Sequence, residues 1–346
     1  MEYKPVYYSE YLELNRILDS QHPVSFQWKD KAAHDEMLFI IIHQAYELWF
    51  KQILFEVQSV IDMLNQPSVN DNSPELQKMV WRLNRVSTIL NVLVHQVDII
   101  ETMTSMDFLD FRDMLRPASG FQSVQFKILE AKLGLEFKNR YGQEYYISQL
   151  KPADVEIIKK IEAEPTLLQL LNKWLERIPV FSSNTKWDSF PAPAEGKHHP
   201  FWQEYERIYT EGLAENEKQN IHAFKEVLFG EGNKGNRSFS PAASRAALFI
   251  FLYRGYPMLE LPFQLLNTLV EIDNHMGTWR ARHVNMVRRM IGNRTGTGGS
   301  TGAGYLQGAM EKHYIFRELT GLHSYLIERR KLPVLPKEIA QKLGYA

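Results

Sequence analysis

Apolar residues return every three or four positions over most of this chain, and that spacing restricts it more than any other feature. The pattern runs through Met37–Met63, Leu76–Ile99, Leu167–Trp174, Ala243–Leu252, Trp279–Ile291 and Tyr305–Leu326. Such a period places one apolar stripe along a helix, which then has to be buried against another helix. No stretch alternates apolar and polar residues between turn signals, so no sheet is expected. The punctuation agrees with this reading. Ser73-Pro74 and Ser240-Pro241 each set a capping hydroxyl before a proline at the first helical position, and Gly292 can end the helix before it. Loops are expected at Pro179–His199 and Gly230–Ser240. Neither separates regions of different composition, so 1–346 is read as one all-α domain, a helical bundle.

The charge balance narrows the partners. With 40 Lys and Arg against 41 Asp and Glu, no net field draws the chain to nucleic acid or to an anionic membrane. There is no cysteine, which removes disulfides, thiolate nucleophiles, iron-sulfur clusters and Cys-ligated zinc. The N-terminus carries no apolar signal segment. The most apolar run, Ala246–Leu252, is short and is followed by Arg254, Pro257 and Glu260, so it reads as a buried helix and not a membrane span. A cytoplasmic protein that handles a small molecule or another protein is expected.

Four segments hold the residue types that could carry chemistry. Phe39 and His43 are four apart and Phe50 lies seven further on, so all three are expected on one helical face. That face either stacks a flat ligand and offers it one hydrogen bond, or holds a core histidine satisfied by a carbonyl. Phe108 and Arg112 repeat the four-residue spacing; the guanidinium can clamp a carboxylate through two parallel bonds or pair with Asp107, Asp110 or Asp113. His283 sits in a helix with Trp279 one turn earlier, among Arg280, Arg282, Arg288 and Arg289, which are either solvated or meet anionic groups. The loop Gly296–Gly302 follows that helix. It lacks the lysine of a phosphate-binding loop and does not follow a strand, so it reads as a closing segment or as a plain connection, with Thr297 or Ser300 able to supply a hydroxyl.

Taken together, His34–Gln52, Met106–Gln125, Trp279–Leu306 and Tyr7-Tyr8-Ser9-Glu10-Tyr11-Leu12 resemble the tryptophan 2,3-dioxygenase family in order and spacing over nearly the whole chain. The resemblance implies an all-helical haem b protein, with one ferrous haem per subunit in the active form, assembled as a homotetramer built from two dimers. It implies that dioxygen cleaves the indole C2–C3 bond of L-tryptophan to N-formyl-L-kynurenine, the first step of the kynurenine pathway. By resemblance, His283 is the axial ligand of the haem iron, and Trp279, Ser119 and Gly120 adjoin the cofactor. Phe39 and His43 match the distal aromatic and the catalytic histidine that meets the indole N–H. Arg112 matches the carboxylate clamp, and Thr297 the loop residue that meets the substrate's carboxylate and ammonium. Tyr8, Tyr11 and Leu12 match residues that the segment 1–20 sends into a neighbouring subunit's pocket. Some bacterial members carry tyrosine where this chain has Phe108, so Arg112 is expected to hold the carboxylate without that hydroxyl. The alternatives are a related haem enzyme that inserts one oxygen atom into a modified aromatic amino acid, and a haem or tryptophan sensor that consumes no oxygen.

Overall fold

The computed structural model describes residues 3–70, 73–177, 199–232, 237–292, 294, 296 and 302–344. Among them there are helices and no strand: α1 (Tyr8–Tyr11), α2 (Leu14–Ile17), α3 (Asp35–Leu64), α4 (Pro74–Ile100), α5 (Ser105–Arg112), α6 (Val124–Leu133), α7 (Gln143–Ser148), α8 (Pro152–Glu162), α9 (Leu167–Glu176), α10 (Pro200–Gly212), α11 (Asn220–Phe229), α12 (Pro241–Leu252), α13 (Pro257–Ile291), α14 (Gly302–Lys312), α15 (Arg317–Leu322) and α16 (Lys337–Lys342). The helix starts follow from the sequence. Ser73 accepts from Leu76 N at 3.2 Å and Ser240 from Ala243 N at 3.1 Å, each ahead of a proline in the first turn. α13 ends at Gly292, whose positive φ a side-chain-bearing residue rarely adopts.

Three long helices, α3, α4 and α13, form the frame, and α6 and α14 lie against it. Their facing stripes supply the core: Ile53, Val57 and Val60 of α3, Leu83, Val86 and Leu90 of α4, and Leu265, Leu269 and Ile272 of α13 are all buried. A second part of the same core is aromatic, with Phe201, Trp202, Tyr205, Phe224 and Phe249 buried together. Its tyrosines also tether the C-terminal segment: Tyr205 donates to the Tyr325 carbonyl and Tyr253 to the Pro333 carbonyl, each at 2.7 Å.

Two expectations change. The helix expected over Tyr305–Leu326 is broken into α14, α15 and a short 3₁₀ turn at His323–Tyr325. The break is held by tertiary contacts, because buried Asp273 of α13 accepts the N–H groups of Ile315 at 3.0 Å and Phe316 at 2.6 Å. Those donors are thus satisfied from a neighbouring helix instead of their own. The helix expected over Trp279–Ile291 is the last third of a 35-residue helix that starts at Pro257. The expected loop at Pro179–His199 lies outside the described residues except for His199, as do 233–236 of the Gly230–Ser240 loop. No helix among the described residues is long and apolar enough to cross a membrane.

Candidate active site

The N-terminal half of α3, the C-terminal half of α13, the start of α6, and α5 with the turn after it line a cavity with about 1340 Å³ of space, its open mouth included. Phe39 and His43 enter from α3, Phe108 and Arg112 from α5, and Ser119 and Gly120 from the turn. Trp279, Arg280 and His283 enter from α13. Most of the remaining wall is apolar, including Ile100, Met103, Phe121, Phe126, Met286 and Met290. Gly296 also lines it, whereas Thr297 and Ser300 lie outside the described residues.

Local sequence explains how α5 presents its pair. Thr104 and Asp107 form a reciprocal cap at its start, and Ser105 donates to the Arg289 carbonyl of α13 at 2.9 Å. Asp107 is thereby committed to the cap, and Asp113 pairs with Arg116 at 3.1 Å. Arg112 instead turns inward, is 5 % exposed and lines the cavity. Phe108 stacks on Phe39 with ring centres 5.8 Å apart, and Phe111 closes an aromatic corner edge-on to both. Phe50 does not join this face. It packs in the main core against Tyr46, Phe126 and Trp279, so only Phe39 and His43 of the expected three line the cavity.

The two imidazoles differ in their surroundings. His43 Nδ1 lies 2.7 Å from the Phe39 carbonyl. A carbonyl only accepts, so Nδ1 carries the proton and Nε2 keeps a lone pair. The ring is exposed to the cavity's own space but closely surrounded by protein, and this burial lowers its pKa against the pull of the Phe39 carbonyl and the Glu47 charge. His43 is therefore a neutral acceptor at neutral pH. His283 stacks on Trp279 at 5.3 Å and 20°, and its buried Nδ1 has no hydrogen-bond partner among the described residues. Burial, with the His43 ring facing it, brings its pKa down to about 4. A neutral imidazole is the form that ligates a metal.

Beyond Trp279 the wall turns polar, with residues that the sequence pattern did not single out. Glu130 of α6 is buried and accepts from Arg140 at 2.6 Å and from Arg280 at 2.7 Å, with His313 Nδ1 at 3.4 Å. Burial raises the Glu130 carboxyl, yet His313 and the two guanidinium groups hold it well below the usual carboxylate range. Lys127, one turn earlier, also lines the cavity; burial brings its amine down to about 8, opposed by Glu130 and reinforced by Arg140. In sequence, Lys127 and Glu130 look like an ordinary i,i+3 surface pair. Only the i+3 step from Arg280 to His283 hints that they share a wall. Two other arginines of α13 go elsewhere: Arg282 pairs with Asp98 of α4 and with Glu101 just after it, and Arg288 donates to Gln307 at the surface.

The structure thus brings Phe39, His43, Phe108, Arg112, Ser119, Gly120, Trp279 and His283 around one cavity. Tyr8 and Tyr11 are not among its walls; they are 75 % and 74 % exposed in α1, and Leu12 follows them. Residues 2–326 match the sequence model of the family described as tryptophan 2,3-dioxygenase. The chain belongs to the tryptophan 2,3-dioxygenase family. Proteins named tryptophan 2,3-dioxygenase from distant organisms are similar along their length. The one from Bdellovibrio bacteriovorus is 41 % identical, with 100 % of this chain and 99 % of that protein covered. The one from Anopheles gambiae is 39 % identical over 98 % and 90 %, and the one from Xenopus laevis 42 % identical over 96 % and 85 %. Membership in the tryptophan 2,3-dioxygenase family fits described residues that are helical throughout their regular structure and a cavity lined by aromatic, imidazole and guanidinium groups.

Proposed function

We propose that this chain is a haem b enzyme, with one haem per subunit, that cleaves the indole C2–C3 bond of L-tryptophan with dioxygen to give N-formyl-L-kynurenine. The observation that carries the reading is His283: a neutral, cavity-facing imidazole whose Nδ1 lacks a partner, stacked on Trp279 and sharing one cavity with His43, Phe39 and Arg112. A neutral imidazole on a cavity wall has a nitrogen lone pair to offer a metal. The donor set fits a haem, since imidazole is a usual iron ligand and the walls are apolar. His283 would hold the iron, with Trp279, Ser119 and Gly120 beside the cofactor. When bound, ferrous haem supplies the activation of dioxygen.

The chain's own residues do the rest. Phe39 and Phe108 offer ring faces to an indole. The Nε2 lone pair of His43 receives the indole N–H. Because the imidazole's own pKa is already lowered, it is far too weak a base to take that proton outright, so it orients and polarises. Arg112, buried at the end of α5, takes the substrate's carboxylate through charge-assisted bonds, with Thr297 contributing from the loop. A mostly apolar cavity limits water and fixes orientation, which is the protein's share of catalysis with a redox cofactor.

The exposed residues support an assembly, which we take as a homotetramer of two dimers. Ile41, Leu48 and Phe55 recur every seven residues on the outer side of α3 and are exposed, as are Trp81, Val92 and Ile99 of α4. Such apolar surface is usual at subunit contacts. Tyr8, Tyr11 and Leu12, standing away from their own cavity, suit delivery by the segment 1–20 into a neighbour's cavity. We take 1–346 as one domain acting in the cytoplasm. The deciding experiment is anaerobic reduction of the reconstituted protein, then L-tryptophan and labelled dioxygen. Two labelled atoms in N-formyl-L-kynurenine support the reading; one atom in a hydroxylated product, or no oxygen consumption, sinks it. His283→Ala should lose the haem spectrum together with turnover.

A further inference from the structure

Six of the residues that line the cavity, Ser119, Gly120, Phe121, Ser123, Phe126 and Lys127, come from one stretch of nine. The stretch is a 3₁₀ turn at Gly120–Gln122 followed by the start of α6. Part of its shape is local. Ser119 and Gln122 cap each other across the turn, and the Gln122 amide donates to the Pro117 carbonyl at 3.3 Å. Such bonds fix the turn itself, but not how far it stands from the helices opposite.

A carboxylate of α3 ties the stretch to the frame. Glu47 Oε1 accepts from the Ser123 hydroxyl at 2.6 Å and Oε2 from the Gln125 amide at 2.8 Å, and the same amide donates to the Glu47 carbonyl at 2.9 Å. Ser123 is the N-cap of α6, its oxygen accepting from Phe126 N at 3.3 Å. A hydroxyl has one hydrogen, and here a carboxylate takes it, so the lone pairs of Ser123 are left for the helix start. Bonds to an ionised acceptor are shorter and stronger than neutral ones, and a negative charge beside the first turn of a helix is favoured. Glu47 also links the surroundings of the two imidazoles. His43 is one turn earlier on α3, where burial lowers its pKa and the Phe39 carbonyl and the Glu47 charge oppose that. On the far side, Phe126 packs on Trp279 at 5.1 Å, and Trp279 stacks on His283 at 5.3 Å. A line of contacts therefore runs from Glu47 through Ser123, Phe126 and Trp279 to His283.

We propose that Glu47 is a positioning residue for the cleavage of the indole: its carboxylate holds the 119–127 wall at a fixed distance from His43, so that a substrate resting on Phe39 and His43 meets the His283 side of the cavity in a reactive orientation. This rests on the reading that the cavity takes haem and L-tryptophan. Glu47 is not among the lining residues, so it acts through Ser123 and the start of α6. Apolar packing has no preferred direction, whereas the bonds to Ser123 and Gln125 do, and they fix the register of α6 against α3. Substrate binding is held separately. Arg112 reaches the cavity from α5, whose first turn is tied to α13 through Ser105 and the Arg289 carbonyl.

The test compares wild type, Glu47→Gln, Gln125→Met and the double variant, with haem content and melting measured for each. Glu47→Gln keeps the length of the side chain and an acceptor for Ser123, but sets an amide donor against the Gln125 amide. Per haem-loaded subunit, its kcat should fall roughly 10- to 100-fold, the effect of a reacting geometry displaced by about 1 Å. KM, and the Kd for L-tryptophan from equilibrium titration, should stay within about threefold, because the loss falls on orientation and not on binding. Gln125→Met leaves Ser123 bonded and should lower kcat by less, and the double variant should lose less than the product of the two. An unchanged kcat per haem in Glu47→Gln overturns the proposal whatever the melting temperature, because a merely structural role would change only stability. A rise in KM and Kd at constant kcat overturns it too, since Glu47 would then serve binding. If Glu47→Gln does not fold, an unchanged kcat in Gln125→Met overturns it. Wild-type protein that binds haem and L-tryptophan but forms no N-formyl-L-kynurenine is a different result, and sinks the reading of the activity instead.

Discussion

Glu130→Gln removes one negative charge from a buried site where two arginines converge within 2.7 Å, and leaves a side chain of nearly the same shape. Glutamine keeps one acceptor oxygen but presents an amide N–H₂ to at least one guanidinium. Breaking a buried ion pair by removing one partner costs about 3–5 kcal/mol, because the remaining charges stay buried and uncompensated. With an unfolding entropy of about 2.1 cal/mol/K per residue, 346 residues give roughly 0.7 kcal/mol per degree, so the melting temperature should fall by about 4–7 °C. The measurement is calorimetric melting, with urea unfolding as a check against irreversibility. The pH dependence follows from the carboxyl being held well below its ordinary value of 4.5. Its stabilisation is complete above that value and is lost as the pH falls through the lower folded value, so the gap between wild type and Glu130→Gln should narrow on acidification below pH 4.5. Adding Arg140→Met should cost less than the two single changes summed, since the pair is coupled. A shift under ~1 °C for Glu130→Gln, with the double variant strictly additive, would refute this account of the buried charges.

Three further outcomes are expected. Arg112→Ala should raise KM for L-tryptophan by roughly 30-fold or more, the effect of losing a desolvated charge-assisted pair, and an unchanged KM removes the clamp assignment. His43→Ala should lower kcat by roughly tenfold or less, the worth of one hydrogen bond to a neutral acceptor; complete loss of turnover with normal haem content and substrate affinity would mean that His43 is an obligatory base. Asp273, raised to about 6 by burial against the pull of Ile315 N–H, Phe316 N–H and Arg280, binds its proton more readily folded than unfolded, so its contribution is greatest in acid and is lost as the pH rises through 6. Relative to wild type, Asp273→Asn should therefore gain up to about 3 kcal/mol in unfolding free energy between pH 4 and pH 8, and a flat difference across that range contradicts the raised pKa.

Much of the fold was legible because helix formation depends on spacing that lies along the chain. Ser73 and Ser240 cap where they should, and α3, α4, α9 and α12 start and end within a few residues of their apolar stripes. The break at 313–316 was not legible, since no local breaker marks it; Asp273, forty residues earlier, supplies the acceptors that let the backbone leave the helix. Phe50 shows the same limit on a smaller scale. Seven residues from His43 it shares a helix face, but whether that face meets a cavity or a core changes within two turns and depends on what packs opposite.

By itself, the sequence determined that this is a chain of packed helices without thiol chemistry or a net charge to steer it, and by resemblance which aromatic, imidazole and guanidinium groups belong to its site. Only the tertiary structure decided that Arg112 is buried against the cavity, that the His43 proton sits on Nδ1, and that Lys127, Glu130, Arg140, Arg280 and His313 form one buried cluster. The reason is physical. Periodicity states which side of a helix avoids water, whereas protonation states and ion pairing depend on charges brought together from α6, α13 and the turn after α14, up to about 180 residues apart in the chain.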